Sequence, residues 1–251
     1  MLYTQTLEKL RALRLEGMAQ ALEEQRQQKE ITQLGFEERL GLLVERQTLW
    51  KENRGLVVRL KNAQLKIPNA TLEDLDYRPS RGLKRAQIEQ LRASDWVGAH
   101  RCTLITGLTG TGKTWVGCAL GHQACRDGYR TCFYSAAKLF RTLEAAQADG
   151  SLPSFLKRLS RTALLIVDDF GLVSGSGKLY RQFLEIIDDR HGSGATLITS
   201  QFPVDHWHEV IGDATVADAI LDRLVHNAYR LEFGGKSMRD PKNLTDRESR
   251  S

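Results

Sequence analysis

The sequence predicts an α/β protein: a parallel sheet covered by helices on both faces, built around a phosphate loop and preceded by a small all-α domain. Three observations carry this expectation. From about residue 82 onward, short apolar runs rich in β-branched residues alternate with helical stretches. A glycine-rich GxxxxGK[ST] loop stands between the first of those runs and the helix that follows it. The first 66 residues, in contrast, carry helical periodicity and few glycines. Alternation of strand and helix is what a parallel sheet needs, because each crossover lays a helix on one of its faces.

Composition bounds the rest. A chain of 251 residues, 41% hydrophobic and 27% charged, makes one large domain, or one medium domain with a small attachment. No apolar run approaches 18 residues, so no membrane span is expected. The opening MLYTQTLEKLRALRLEG scatters charges through a stretch where a secretory signal would need an apolar centre. Cys102, Cys118, Cys125 and Cys132 form no CxxC pair and alternate with core-like residues, as reduced thiols of a cytoplasmic protein do. These features exclude a collagen-like fibre, a disulfide scaffold and a wholly disordered chain. Thirty-six basic against 31 acidic residues leave +5, which permits a polyanionic partner without requiring one.

In chain order, Leu7, Leu10, Met18, Ala21 and Leu22 recur at the spacing of one amphipathic helical face. Phe36, Leu40, Leu43 and Val44 repeat the pattern after Thr32, with Glu37 and Glu38 in the first turn, where the helix dipole favours acids. Leu56, Val57 and Leu60 suggest a third short helix, whose other face carries Arg54, Arg59, Lys61 and Lys66. Residues 67–81 break the rhythm with two prolines and Asn/Asp turn formers, so the expected division is a helical domain 1–66, a linker 67–81 and an α/β domain 82–240. The final 241–251 read as a polar, disordered tail. Within the α/β domain the expected strands are 102–106, 130–135, 163–169, 195–200 and 229–233, and the expected helices include 83–94, 178–191 and 215–228.

The loop reads Gly107-Leu108-Thr109-Gly110-Thr111-Gly112-Lys113-Thr114 and runs on into Trp115. Its glycines let backbone N–H groups curl around phosphates while the following helix points its positive end at them. Lys113 is placed to reach the β and γ oxygens, and the Thr114 hydroxyl to ligate Mg²⁺. The run Leu164-Leu165-Ile166-Val167 ends in Asp168 and Asp169, two carboxylates at the strand edge where open α/β sheets bind ligands. Asp168 is the candidate Mg²⁺ holder, and Asp169 the candidate for orienting or deprotonating water. Gln201, after TLITS, is a candidate for positioning that water. Asp169-Phe170-Gly171 spells the kinase DFG, but neither HRD nor VAIK accompanies it. Asp168-x-x-Gly171 spells the GTPase DxxG, but no NKxD follows, which favours ATP as the cofactor over GTP. Basic clusters at Arg54/Arg59/Lys61/Lys66, Arg81/Lys84/Arg85 and Lys157/Arg158/Arg161 are candidate phosphate contacts for duplex DNA.

The phosphate loop, LLIVDDFG, TLITSQFP, AILDRLVHNAYRLEFGGKSMR and the N-terminal LRALRLEGMAQALEEQ together resemble the IstB-like helper ATPases of bacterial insertion sequences, over nearly the whole chain. Those relatives are AAA+ proteins, close to replicative helicase loaders. The resemblance implies an ATP- and Mg²⁺-dependent homo-oligomer that binds duplex DNA beside a transposase, with hydrolysis driving disassembly. It makes Lys113 and Thr114 the Walker A pair, Asp168 and Asp169 the Walker B acids, Arg223 an arginine finger and Arg239 a sensor II arginine. Asp169 stands where such proteins usually carry Glu, and Gln201 where Asn is common. Two rival readings are a helicase loader, which favours single-stranded DNA, and a small monomeric P-loop kinase.

Overall fold

In the computed structural model, residues 3–28, 31, 33–77, 82–172, 177–235 and 237 are described. Arg81, Arg239 and the expected polar tail lie outside them. No helix among the described residues is long and apolar enough to cross a membrane. The chain separates into two compact units, Met1–Val58 and Arg59–Ser251.

The first unit holds α1 (Tyr3–Ala12), α2 (Glu16–Gln27) and the larger part of α3 (Phe36–Ala63). The single amphipathic helix expected over residues 7–22 is two helices. Arg14 takes a left-handed φ of 60° and the Leu15 amide donates to Leu10 O, which closes α1 with a turn. Gly17 allows α2 to lie close on α3, since a Cβ there would come within 2.8 Å of Arg46 O and Gln47 Cα. Gln47 Oε1 accepts from the Met18 amide at 3.1 Å, and Gln25 Nε2 donates to Arg39 O at 3.0 Å. The short third helix expected near Leu56 is the end of the 28-residue α3. That helix leaves Phe36, Leu40, Val44 and Val57 exposed.

The second unit begins earlier than the expected 82. Ala63 and Leu65 are buried in it, and so are Ala70, Leu72 and Leu75 of the expected linker, whose described part 67–77 thus packs into the core. Arg59 Nε donates to Cys125 O at 2.8 Å, and Leu65 lies against Gly121, where a Cβ would come within 3.0 Å of its Cδ2. Two short helices, α4 (Arg85–Arg92) and α5 (Asp95–Gly98), precede β1 (Thr103–Gly107) and α6 (Lys113–Arg126). There follow β2 (Thr131–Ser135), α7 (Ala136–Asp149), α8 (Leu152–Ser160) and β3 (Leu164–Phe170). Then come α9 (Gly177–Arg190), β4 (Ala195–Ser200), α10 (Trp207–Ile211), α11 (Ala214–Val225) and β5 (Tyr229–Phe233). All five expected strands are present.

The sheet is parallel throughout, in the order β2-β3-β4-β1-β5. Strand side chains alternate between faces, and that alternation sorts the core. Leu104, Leu165, Val167 and Ile198 join the cluster under α7, α8, α9 and α11, where Phe170 stacks between Tyr180, Phe183 and Trp207 at centroid distances of 4.7–6.1 Å. Ile166, Leu197 and Thr199 face α6, whose Gly117 admits them within 3.4–4.0 Å of the place a Cβ would take. The four cysteines are free thiols, and burial pushes all four up, Cys118 to about 11.

Candidate active site at the sheet edge

Strand β1 ends in the glycine-rich loop, whose backbone turns on three left-handed glycines. Gly107, Gly110 and Gly112 take φ values of 141°, 78° and 92°, which L side chains rarely adopt. A Cβ at Gly107 would come within 2.2 Å of Phe233 O, and one at Gly110 within 2.0 Å of Ser237 Oγ. Gly112 ends the loop at the N-terminus of α6, a 14-residue helix whose positive end faces the cradle. Thr111 folds its hydroxyl back to Leu108 O at 2.8 Å. Lys113 is 5% exposed, and its ammonium donates to Gly107 O at 2.7 Å and Leu108 O at 2.8 Å. Thr109 is exposed at the loop tip, and Trp115 is half-buried in the first turn of α6.

The acidic half of the site comes from β3, two strands away from β1 in the sheet. Asp168 is completely buried on the face that meets α6. The Thr114 hydroxyl donates to its Oδ1 at 2.8 Å, and the Thr199 hydroxyl from the intervening β4 donates to the same oxygen at 2.6 Å. Strict alternation would send the neighbouring Asp169 to the opposite face. A β-bulge prevents this: Val167 pairs with Ile198 and Phe170 with Ser200, so Asp168 and Asp169 together oppose Thr199. Asp169 accommodates the extra residue with a left-handed φ of 60°, and its amide donates to Thr199 Oγ1 at 3.0 Å.

Both carboxylates then meet one cation. Lys66 Nζ lies 3.1 Å from Asp168 Oδ2 and 3.4 Å from Asp169 Oδ2. Burial opposes the lysine's charge, but the hydrogen bond and charge of Asp168, joined by those of Asp169, hold its pKa above the ordinary value. Lys66 was expected on a DNA-facing surface, and the structure places it here. Thr199 was not among the expected site residues, and Lys66 was expected only as a DNA contact. The period-2 spacing from Leu197 was a signal for Thr199. Lys66, 102 residues from Asp168, left none.

The donor set fits the expected cofactors. Glycines that leave no room for side chains, a buried lysine and a helix N-terminus suit a polyphosphate. Hard oxygen donors from Thr114 and Asp168 suit Mg²⁺, which characteristically takes one or two carboxylates together with substrate phosphate. Among the described residues no cluster of three or more His, Cys, Asp or Glu forms a self-sufficient metal cage.

Other expected residues lie elsewhere. Gln201 follows β4, half-buried, one position beyond the strand end, and it is Thr199 that touches Asp168. Arg223 is in the last turn of α11, near Cys102, Thr196 and Asn227 towards the N-terminal ends of β1, β4 and β5, where it bonds to Ala219 O and pairs with Asp188. This is the edge of the sheet opposite the phosphate loop. Among the basic clusters, Arg59 is tied to Cys125 O, and Arg158 lies over the Phe155 ring and donates to Tyr134 Oη at 3.0 Å. Arg85 lies over the Tyr77 ring. Arg54, Lys61, Lys84, Lys157 and Arg161 are exposed.

Known proteins resemble this chain in sequence and in fold. The chain is 46% identical, over 95% of its length and 97% of the relative's, to an insertion sequence ATP-binding protein of Sinorhizobium fredii (strain NBRC 101917 / NGR234). It is 30% identical, over 93% of each chain, to an ATP-binding protein in an insertion sequence of Mycobacterium tuberculosis (strain ATCC 25618 / H37Rv). Among solved structures, the DnaI crystal structure superposes with a TM-score of 0.56 at 22% identity, covering 66% of this chain and 91% of that one. AMPPCP-bound DnaA from Aquifex aeolicus gives a TM-score of 0.56 at 19% identity, covering 73% and 54%. These structures share the fold. A family model described as IstB-like ATP binding protein matches residues 8–245, and with the phosphate loop and paired acids inside that span, the chain belongs to the IstB-like ATP-binding family.

Proposed function

We propose that this protein is the ATP-hydrolysing helper of an insertion sequence: it assembles on duplex DNA with Mg²⁺·ATP, works beside a transposase, and disassembles on hydrolysis. The observation that carries the reading is the meeting of Thr114 and Asp168 at 2.8 Å between the phosphate loop and the acidic strand. Loop amides and Lys113 would hold the phosphates, and Thr114 and Asp168 would hold the metal, which when bound offsets charge on the transferring phosphoryl group. Thr199 keeps the Asp168 carboxylate aimed. Asp169, held in reach by the bulge, would take the proton of, or orient, the attacking water.

Arg223 cannot serve its own nucleotide from the opposite sheet edge. Its use as a finger therefore requires a second copy, and would make turnover depend on assembly. The exposed basic residues support phosphate contacts without sequence preference, and the exposed apolar residues of α3 support docking of a protein partner. The fold shared with DnaI and with the DnaC helicase loader (TM-score 0.52) supports a second reading, a loader of a replicative helicase.

One experiment separates them. Binding to random duplex and to single-stranded DNA is measured with ATP, with ADP and without nucleotide, with light scattering on the same samples. The helper reading expects large ATP-dependent complexes on duplex DNA that weaken as salt rises. Preference for single strands supports the loader, and a monomer indifferent to DNA overturns both readings.

A further inference from the structure

The unexpected member of the site is Lys66. It arrives from a segment fixed along α6: Arg59 is bonded to Cys125 O, Leu65 lies against Gly121, and Ala63 and Ala70 are fully buried. The backbone of this segment is thus anchored, while the Lys66 side chain remains 48% exposed at its far end. Its ammonium touches both acids at 3.1 and 3.4 Å, on the carboxylate that also receives the Thr114 hydroxyl. Asp168 and Asp169 are two like charges side by side, one of them wholly buried. Such a pair needs a counter-charge when no metal is bound, because an unpaired buried carboxylate is costly.

We propose that Lys66 is the resident counter-ion of the acidic pair, occupying the charge position of the divalent cation and leaving it when magnesium-nucleotide binds. This rests on the reading of Thr114 and Asp168 as the magnesium site. Two cations do not share one carboxylate oxygen set at contact distance without strong repulsion, so metal entry drives the flexible side chain into solvent. The consequence is a threshold. Lys66 offsets one of the two negative charges and keeps the site folded in the absence of nucleotide, and it raises the magnesium concentration needed to load the site. The lysine acts on loading and not on the phosphoryl group itself.

The test uses the full chain and a fluorescent N-methylanthraniloyl-ADP, titrated with MgCl₂ while nucleotide binding is followed by anisotropy. Lys66→Gln is expected to reach half-maximal binding at roughly tenfold lower Mg²⁺ than the wild type, the scale of one lost competing charge. Lys66→Arg keeps the charge and is expected to stay near the wild-type value. In EDTA, Lys66→Gln should melt below the wild type, and Mg²⁺·ADP should close that gap. An unchanged or higher Mg²⁺ requirement in Lys66→Gln, alongside Mg²⁺-dependent binding in the wild type, overturns the role of Lys66 and leaves the metal site standing. Nucleotide binding that ignores Mg²⁺ in both proteins overturns the metal site and the inference with it. A second measurement needs no variant: amine-reactive labelling of the wild type, read by mass spectrometry. Lys66 should be protected in EDTA and labelled several-fold faster with Mg²⁺·ADP; equal or slower labelling overturns the proposal.

Discussion

Thr199 shows how much a single hydroxyl can organise at this site. It donates to Asp168 Oδ1 and accepts from the Asp169 amide, so one side chain fixes both the carboxylate and the bulged backbone beside it. A buried hydrogen bond to a charged group contributes about 1.5–3 kcal/mol, and losing it also frees the acid to rotate. Thr199→Ser retains the hydroxyl and should keep most of the turnover. Thr199→Val is nearly isosteric without the hydroxyl and should lower ATPase kcat by roughly tenfold to a hundredfold, while nucleotide affinity in Mg²⁺ changes less. Steady-state ATPase assays with nucleotide-binding isotherms check this; loss in Thr199→Ser with turnover retained in Thr199→Val would make the site's concern β-branched packing instead. Asp169 is the complementary case. Its left-handed φ is tolerable for Asp, and it is what brings a neighbour in sequence onto the same side of the sheet.

At the scale of elements, the phosphate loop was legible because its chemistry is local. The glycines, Lys113 and Thr114 all lie within eight consecutive residues, between a strand and a helix that periodicity alone predicts. The elements are held at their other end by Arg190, the last residue of α9 and 1% exposed. Among the described residues its guanidinium bonds no carboxylate. It donates to Leu159 O of α8 at 2.6 Å, to Thr162 O just beyond that helix at 2.8 Å, to Ala195 O, and to Thr196 Oγ1 at 3.1 Å on β4. Burial lowers its pKa to about 10, so it still carries its charge at neutral pH. Arg190→Met removes these donors and leaves buried carbonyls unpaired, for an expected loss of about 3 kcal/mol. Urea denaturation should register this as a lower midpoint at unchanged slope. A loss under about 0.5 kcal/mol would mean that water replaces the guanidinium.

At the scale of the molecule, the parallel sheet separates two chemical edges. The phosphate loop, Asp168 and Thr199 lie at strand C-termini, and Arg223 lies where strands begin. Arg223→Ala should leave nucleotide binding by isolated chains within about twofold, yet lower turnover at least a hundredfold, given the usual weight of an arginine finger. Mixing makes the prediction specific. Asp169→Asn supplies an intact Arg223, and Arg223→Ala supplies an intact acid site, so the two inactive variants together should regain turnover. Failure to complement, with both variants binding nucleotide, would remove Arg223 from the catalytic reading.

What the sequence determined by itself was everything encoded within a few residues: the strands, the phosphate loop, the acids and the family resemblance. Apolar periodicity and loop chemistry act over one or two turns, so they survive reading without a fold. Boundaries survived less well. The expected linker at 67–81 looks like turn formers, but Ala70, Leu72 and Leu75 find a core to enter. The constellation at the acids was decided only by tertiary structure. Strand order places β4 between β1 and β3 and so inserts Thr199, the bulge turns Asp169 to its neighbour's side, and packing along α6 delivers Lys66. The physical reason is that the charge balance of an acidic pair with a buried member acts through space. Any segment whose backbone passes near enough can supply the cation, and its distance along the chain leaves no trace in local pattern.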